Sequence, residues 1–182
     1  KGDPSHAASQ TDAHWELNWR VHVMSHVYAA RALLPGMIER NSGHLVNVAS
    51  AAGLLNQIGD AAYSATKHAA VSFAESLAIT HGSDGIGVSV VCPQYVATPL
   101  LGLSDADAVQ QASLLTANDV AVAVVDGVEA GQFLILSHPE VQTYALHRAK
   151  DHDRWVAGMQ MLRAKAVETF GGIQVESFYK LM

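Results

Sequence analysis

The sequence predicts an α/β fold in which helices and strands alternate around a parallel sheet. Three short runs, His44–Ala49, Gly87–Cys92 and Phe133–Leu136, are nearly continuous in apolar character, which is typical of strands buried on both faces. The longer segments between them repeat apolar residues at threes and fours, which is the period of a helix. A succession of helix, strand, helix and strand favours crossover connections on one parallel sheet.

The first predicted helix extends from Asp12 to about Arg40, and Thr11 or Asp12 caps its start. Pro35 falls inside this pattern, where its missing N–H and its ring predict a kink that redirects the last turns. The second helix is predicted for Ala61–His81, between the first two strands.

The segment Pro99–Thr116 shows no sustained period, and we expect it to form an irregular or short-helical flap over a pocket. A further helix is predicted from Asp119 to about Ala130. The chain from Glu140 to Phe170 also has a helical pattern, which we expect to be broken near Asp151–Asp153. The second half of the chain is therefore predicted to be mostly helical.

Composition excludes several classes of protein. The 182 residues are 49% apolar, with a mean hydropathy of +0.14, so the chain can bury the core of one domain. A net charge of −6 without a cluster of Lys and Arg argues against a nucleic-acid surface. The single Cys92 excludes an internal disulfide framework. Because no apolar run approaches about 18 residues, we expect a cytoplasmic protein without a membrane span.

Three residues predict proton chemistry. Tyr63 and Lys67 stand one helical turn apart in YSATK, and Ser50 ends an apolar run thirteen positions before the tyrosine. A phenol with an ordinary pKa near ~10 is a poor acid or base at neutral pH unless a cation stabilises the phenolate. The i, i+4 spacing places the ammonium on the same helix face as the ring. The trio can therefore move a proton beside an alcohol carbon, at the strand ends where parallel sheets bind ligands.

Three segments, in this order, resemble the short-chain dehydrogenase/reductase family. HLVNVASAAG is similar to its serine strand, AAYSATKHAAVSFAESLA to its tyrosine-lysine helix, and VSVVCPQYVATP to its proline-threonine segment. The resemblance implies a Rossmann-like doubly wound parallel sheet, of which this chain has the C-terminal part with an extended helical tail. We therefore interpret residues 1–137 as the catalytic half of a Rossmann-type dehydrogenase domain and residues 138–182 as a helical extension of the same domain.

The resemblance also implies roles for individual residues. Tyr63 becomes the general acid/base, Lys67 its electrostatic partner and a donor to the nicotinamide ribose, and Ser50 the group that positions the substrate oxygen. The implied reaction moves a hydride between NAD or NADP and a secondary alcohol or ketone. The residues implied at the cofactor are Tyr63, Lys67, Pro93, Val96 through its backbone amide, and Thr98 through its hydroxyl.

The sequence departs from the family pattern in several places. The glycine-rich cofactor loop and the residue that selects the cofactor are absent, so we expect a longer native polypeptide, and the choice between NAD and NADP stays open. His22 stands where the family usually has a catalytic asparagine. It can hold a relay water in the catalytic site, or it can be hydrogen-bonded within a helix interface. Gln94 stands where the family usually has glycine.

Two further expectations concern partners. Leu100, Leu101 and Leu103 in the predicted flap favour a small-molecule alcohol or ketone with an apolar body. By the resemblance, the two long helices form a homodimer or homotetramer. Neither a nucleic acid nor a membrane is expected as a partner.

Two alternatives remain at this stage. The first is a non-catalytic member of the same fold that acts as a binding or scaffold protein. The second is a metal on the His-x-x-x-His pair of His22 and His26. Because no third ligand is evident for that pair, we predict no metal site.

Overall fold

A computed structural model describes residues 5–111 and 113–181 of the chain. Within these residues, helices surround a parallel sheet. The strands are β1 (Gly43–Val48), β2 (Ile86–Val91), β3 (Val96–Ala97), β4 (Leu115–Thr116) and β5 (Leu134–Ile135). The α-helices are α1 (Asp12–Trp19), α2 (Ser25–Glu39), α3 (Ala61–His81), α4 (Asp105–Gln110), α5 (Ala117–Glu129), α6 (Glu140–Lys150) and α7 (His152–Phe170).

The main sheet has the order β1-β2-β5, and all its strands are parallel. β1 pairs with β2 along its whole length, and β5 pairs with the last two residues of β2. The central position of β2 explains why Val90 and Val91 are almost fully buried. On the end strand β1, Val46 and Val48 are 40% and 55% exposed. The three predicted apolar runs are thus parallel strands, and the prediction of the fold class is confirmed.

The helix predicted from Asp12 to Arg40 is interrupted earlier than the sequence indicated. α1 ends at Trp19, one π-helical turn covers Arg20–Met24, and α2 then continues through Pro35 to Glu39. The last turns therefore belong to the same helix as the residues before the proline. A π turn widens a helix by one residue and is frequent at functional sites, and this one contains His22.

The segment predicted to be irregular or short-helical does contain short helices, and it also contains the unpredicted strand β4. A 3₁₀ turn covers Pro99–Leu101, and α4 begins with a capping box between Ser104 and Asp107. β3 and β4 form a separate two-stranded parallel sheet. Residue 112 of this segment and the outer predicted domain limits, residues 1 and 182, lie outside the described residues.

The predicted break in the tail lies at Asp151, between α6 and α7. Its side chain accepts a hydrogen bond from the backbone N–H of Arg154 and so caps α7. After α7, a 3₁₀ segment covers Val175–Leu181. No helix in the described part of the chain is both long and apolar enough to cross a membrane.

The core has two main parts. The first lies between the sheet and the long helices and includes Val88, Val90 and Leu77. The second connects the tail to the loop after β2. Its buried members are Tyr95, Ala97, Leu114, Ala166, Phe178 and Tyr179.

Candidate active site

A cavity of about 930 Å³ lies at the carboxyl edge of the sheet. This is the edge where parallel α/β sheets bind ligands. Ser50 and Tyr63 line one side, which we call the polar wall. A second part of the lining, which we call the tail wall, comes from the C-terminal helices and their end: Trp155, Met159, Leu162, Ile173, Phe178 and Leu181. The loop residues Pro93, Val96 and Thr98 also line the cavity, whereas Lys67 and His22 lie outside its lining.

Ser50 is fixed by the end of β1. Its hydroxyl accepts a hydrogen bond from the N–H of Ala52 at 3.1 Å and lies 3.5 Å from the carbonyl oxygen of Pro93. The serine segment can approach α3 closely because Gly53 has no side chain. A Cβ at Gly53 would lie 2.6 Å from the carbonyl oxygen of Lys67. The local backbone thus brings the serine beside the helix that carries the tyrosine.

Tyr63 lies in the first turn of α3. Asp60 caps this helix by accepting a hydrogen bond from the N–H of Tyr63 at 3.0 Å, and Gln10 in turn donates to Asp60 at 2.7 Å. Burial raises the pKa of the Tyr63 phenol, and a hydrogen bond with the side chain of Ser50 lowers it in part. The phenol is therefore protonated at neutral pH, with the serine hydroxyl beside it.

Lys67 lies behind the tyrosine ring, away from the cavity lining. Its ammonium nitrogen is 5.6 Å from the ring centroid of Tyr63 and donates a hydrogen bond to the carbonyl oxygen of Val48 at 3.2 Å. Burial lowers the pKa of Lys67 to about 8. The side chain is thus still mainly charged at neutral pH, although burial makes the charged form less favourable than it would be in water.

His22 contacts the tyrosine from a neighbouring helix. The two rings meet edge to face, with centroids 5.2 Å apart. Nδ1 of His22 lies 2.9 Å from the hydroxyl of Thr66, which itself donates to the carbonyl oxygen of Ala62 at 2.8 Å. The single hydroxyl proton of Thr66 is donated to Ala62, so the hydroxyl can only accept from His22. Nδ1 of His22 is therefore protonated and is the donor in this pair. Burial and the charge of Lys67 lower the pKa of His22 to about 4, so the imidazole is neutral at physiological pH.

The loop after β2 presents backbone donors as well as side chains. β3 and β4 pair through a hydrogen bond from Leu115 N–H to the carbonyl oxygen of Tyr95, 3.2 Å long. In a parallel strand, neighbouring residues direct their backbone polar groups to opposite sides. The N–H of Val96 therefore faces away from β4. Val96 and Thr98, the two residues that the resemblance predicts for the carboxamide of a nicotinamide, both line the cavity.

Sequence reasoning missed two residues, one within this loop and one that contacts it. Tyr95 is buried, and its hydroxyl lies 3.4 Å from both the side-chain oxygen of Gln57 and the carbonyl oxygen of Val175. Burial raises the pKa of Tyr95 to about 12, so the phenol stays neutral. His138, 2% exposed, contacts the same loop from the end of β5. Tyr95 stands within the quoted proline-threonine segment, which was the available signal for it.

The described residues contain no group of three or more His, Cys, Asp or Glu side chains placed to hold a metal ion. His26, the second member of the His-x-x-x-His pair, is half-buried, and its pKa is lowered by burial and by Lys67. Cys92 is fully buried, and burial raises the pKa of its thiol to about 11. The groups that the sequence predicted for proton transfer are present here: the hydroxyl groups of Ser50 and Tyr63 in the lining, and the ammonium of Lys67 at 5.6 Å from the tyrosine ring centroid.

Comparison with known proteins gives consistent matches. The sequence profile of the short chain dehydrogenase family matches residues 2–108. The chain is 33% identical over 126 residues to 1-deoxy-11-beta-hydroxypentalenate dehydrogenase of Streptomyces exfoliatus, covering 68% of this chain and 46% of that protein. It is 41% identical over 88 residues to the inactive 2-(S)-hydroxypropyl-CoM dehydrogenase 2 of Xanthobacter autotrophicus, covering 48% of this chain and 38% of that protein.

A solved structure agrees with the fold. The short chain dehydrogenase/reductase from Burkholderia phymatum in complex with NAD superposes with a TM-score of 0.68 at 28% identity, over 79% of this chain and 60% of that one. The matched part of this chain spans less than half the length of each of the two curated relatives named above. The fold thus matches that of the solved structure, and residues 2–108, which match the family profile, contain the polar wall.

Proposed function

The chain belongs to the short-chain dehydrogenase family, and from this premise we propose that it transfers a hydride between NAD or NADP and a secondary alcohol or ketone. The observation that carries the proposal is the meeting of Ser50 and Tyr63 on one wall of the cavity, with Lys67 behind the ring. A bound nicotinamide would supply or accept the hydride. All other steps fall to side chains of this chain.

In the proposed mechanism, Ser50 and Tyr63 hold the substrate oxygen between their hydroxyl groups. Tyr63 gives its proton to the oxygen during reduction and takes it back during oxidation. The Lys67 ammonium, 5.6 Å from the ring centroid, stabilises the phenolate that this transfer leaves. Because the side chain of Lys67 is only 8% exposed, its charge acts with little screening by water.

The cofactor would be held at its nicotinamide end by the loop after β2. We propose that the amide of Val96 and the hydroxyl of Thr98 bind the carboxamide, that Pro93 shapes the loop, and that Tyr63 and Lys67 contact the ribose. The sequence contains no glycine-rich phosphate loop, so the choice between NAD and NADP is open. The B. phymatum protein is a complex with NAD, which supports a nicotinamide cofactor of either kind.

The substrate is proposed to have an apolar body. The tail wall is formed by six apolar side chains, and Leu101 lies beside it on the loop side. Leu100, which the sequence also placed at the pocket, is 86% exposed at the cavity mouth. Such a lining favours a substrate that presents one oxygen to the polar wall and apolar carbon to the tail wall.

We also propose a homodimer or homotetramer formed through two long segments: α1, the π turn and α2 in the first, and α3 in the second. Several large apolar side chains on α1, the π turn and α2 are about half exposed, as expected for a face that a second copy covers. These are Leu17, Trp19, Val21, Tyr28 and Leu33. Light scattering should give a mass above that of one chain, and a monomer at micromolar concentration would contradict this assembly.

The decisive experiment replaces the phenol hydroxyl by Tyr63→Phe. The ring keeps its contact with His22, but no proton can be exchanged with the substrate oxygen. We expect kcat for secondary alcohols to fall by about 10²–10⁴-fold, the usual contribution of general acid–base catalysis. Tyr28→Phe is the matched control: Tyr28 lies outside the cavity lining, and the change removes the same hydroxyl but keeps the apolar ring on the proposed interface, so turnover should stay unchanged. Unchanged turnover in Tyr63→Phe would remove the tyrosine from the mechanism.

A non-catalytic binding protein of the same fold is the second candidate. The observation in its favour is that one of the relatives above is named an inactive dehydrogenase, together with His22 in place of the expected asparagine. Titration with NADH and with NADPH, followed by nicotinamide fluorescence, separates the two. Binding of neither cofactor would favour the non-catalytic protein, and the same titration reports which cofactor is preferred.

A further inference from the structure

The loop after β2 needs support from outside, because Pro93, Gln94 and Tyr95 lie between two strands and belong to neither. On one side, the carbonyl oxygen of Pro93 accepts a hydrogen bond from the N–H of Ala51 at 2.7 Å. This contact fixes the start of the loop beside Ser50. The next two residues are held by a different element of the fold.

That element is the imidazole of His138, three residues after the end of β5. The side chain is buried, and its ring contacts two successive backbone groups of the loop. The N–H of Gln94 donates to Nδ1 at 3.2 Å, and Nε2 lies 3.0 Å from the carbonyl oxygen of Tyr95. Since a backbone N–H only donates and a carbonyl oxygen only accepts, the neutral ring with its proton on Nε2 satisfies both partners.

The hydroxyl of Ser137 reinforces this arrangement. It lies 3.0 Å from Nδ1 of His138, so it can donate to the same acceptor as Gln94. The pKa of His138 is lowered, chiefly by burial, and the ring is therefore neutral at physiological pH. The geometry and the protonation state agree on one tautomer.

The contact with Tyr95 has a directional consequence for Val96. The carbonyl of Tyr95 and the N–H of Val96 belong to one peptide group, and the described residues contain no cis peptide bond. In a trans peptide the C=O and the N–H point in opposite directions. The carbonyl oxygen of Tyr95 accepts hydrogen bonds from His138 and from the N–H of Leu115. The N–H of Val96 therefore points away from both of these donors.

We propose that His138 is the positioning residue of the cofactor-facing loop: it holds the peptide between Tyr95 and Val96 so that the Val96 amide is aimed into the cavity. The inference rests on the proposed function, because it needs a nicotinamide to receive that amide. It assigns a role to a residue outside the matched region of 2–108. His138 acts through the loop and touches neither substrate nor cofactor.

Two amide variants test the two halves of the contact. His138→Gln can bring an amide N–H to the place of Nε2 and keep the bond to the Tyr95 carbonyl, whereas His138→Asn can bring an oxygen to the place of Nδ1 and keep only the bond from Gln94. His138→Phe keeps the ring and loses both. We expect Kd for the reduced cofactor to rise about tenfold in the Phe and Asn variants, the value of one hydrogen bond, and to stay within about threefold in the Gln variant.

Amide hydrogen exchange of the cofactor-free protein gives a second readout that does not depend on activity. Exchange at Gln94 should be about tenfold faster in His138→Phe and His138→Gln and unchanged in His138→Asn. The matched control is His44→Phe, since His44 is also hydrogen-bonded, to Ser89 at 2.9 Å, but lies at the opposite end of the sheet. It should change neither the exchange at Gln94 nor the cofactor affinity.

The outcomes separate the inference from the proposed function. Wild-type protein that binds neither NADH nor NADPH would contradict the proposed function. Wild-type binding that His138→Phe leaves unchanged, or equal affinities for the Gln and Asn variants, would overturn the role of His138 while leaving the proposed function intact. If the Phe variant does not fold, the comparison of the Gln and Asn variants still tests the role of His138. Both carry a side-chain amide, so they differ mainly in which hydrogen bond to the loop they can keep.

Discussion

The polar wall and the tail wall of the cavity are held in place by different forces. Ser50 and Tyr63 follow directly from regular elements, at the end of β1 and in the first turn of α3, and short-range hydrogen bonds fix them. The tail wall depends on apolar burial and on contacts between distant parts of the chain, such as Tyr95 with Val175, 80 positions apart. Substitutions in the polar wall should therefore change turnover more than stability, and substitutions in the tail wall should do the reverse.

The strongest test of this contrast is Lys67→Met, which leaves both walls intact and removes the charge that supports Tyr63 of the polar wall. The methionine keeps an unbranched side chain but removes the ammonium that faces the ring of Tyr63. We expect kcat to fall by about 10²–10⁴-fold. We expect the free energy of unfolding to stay the same or to rise, because burial lowers the pKa of Lys67 to about 8 and so opposes the charged form.

Steady-state kinetics and urea unfolding measure the two quantities in the same preparation. Lys165→Met, on the exposed face of α7, is the control and should change neither. A variant at Lys67 that loses both turnover and about 3 kcal/mol of stability would mean that the ammonium supports the fold. The polar wall would then not be separable from the core.

The reverse test is Phe178→Ala in the tail wall. Phe178 is 2% exposed and packs with Tyr95, Ala166 and Tyr179. Truncation should cost about 3–5 kcal/mol of unfolding free energy. With a small secondary alcohol, kcat should change less than threefold, whereas KM for an alcohol with a bulky apolar body should rise about tenfold.

Phe178→Leu is the conservative control, with an expected loss under about 1.5 kcal/mol. Urea denaturation gives the stabilities, and substrate pairs of different size give the kinetics. If Phe178→Ala lowered kcat for small and bulky substrates alike, the tail would be acting on the polar wall, and the two walls would be coupled.

Acid should weaken the fold through three histidines whose pKa values are lowered chiefly by burial. The pKa of His22 is lowered from 6.5 to about 4, and the pKa values of His26 and His138 are lowered as well. Between these values and 6.5 the unfolded chain binds more protons than the folded one, so the free energy of unfolding falls as pH falls from about 6.5 to 4. Urea midpoints across this range measure the effect.

The contribution of one histidine can be isolated in the same experiment. His22→Asn removes one titrating ring and should flatten the pH dependence of stability. His147→Asn, at an exposed position on α6, is the matched control. A His22 variant with the wild-type slope would show that the acid sensitivity comes from other groups.

The polar wall could be predicted from sequence because its residues obey local rules. The two apolar runs predicted the ends of β1 and β2 to within one residue. The i, i+4 spacing predicted correctly that Tyr63 and Lys67 lie on one helix. The π turn at Arg20–Met24 has no residue signature, and two-residue strands such as β3 carry no period to detect. His138 was missed because its function depends on a contact with Gln94, 44 positions away.

The smallest expected effect belongs to His22, at the back of the polar wall. Its neutral ring donates from Nδ1 to the hydroxyl of Thr66 and makes an edge-to-face contact with the ring of Tyr63. An asparagine at this position can donate an amide N–H to the same hydroxyl and still offer an oxygen to a relay water. We therefore expect His22→Asn to change kcat less than threefold.

His22→Leu distinguishes a proton relay from simple packing. Leucine fills the space but can neither donate to Thr66 nor hold water, so kcat should fall about tenfold if the histidine takes part in the relay. Stability in urea, measured for both variants, corrects for any loss of packing against Tyr63. If the Leu variant turned over like the Asn variant, His22 would contribute only an edge-to-face contact. Proton transfer would then depend on Ser50, Tyr63 and Lys67 alone among the predicted residues.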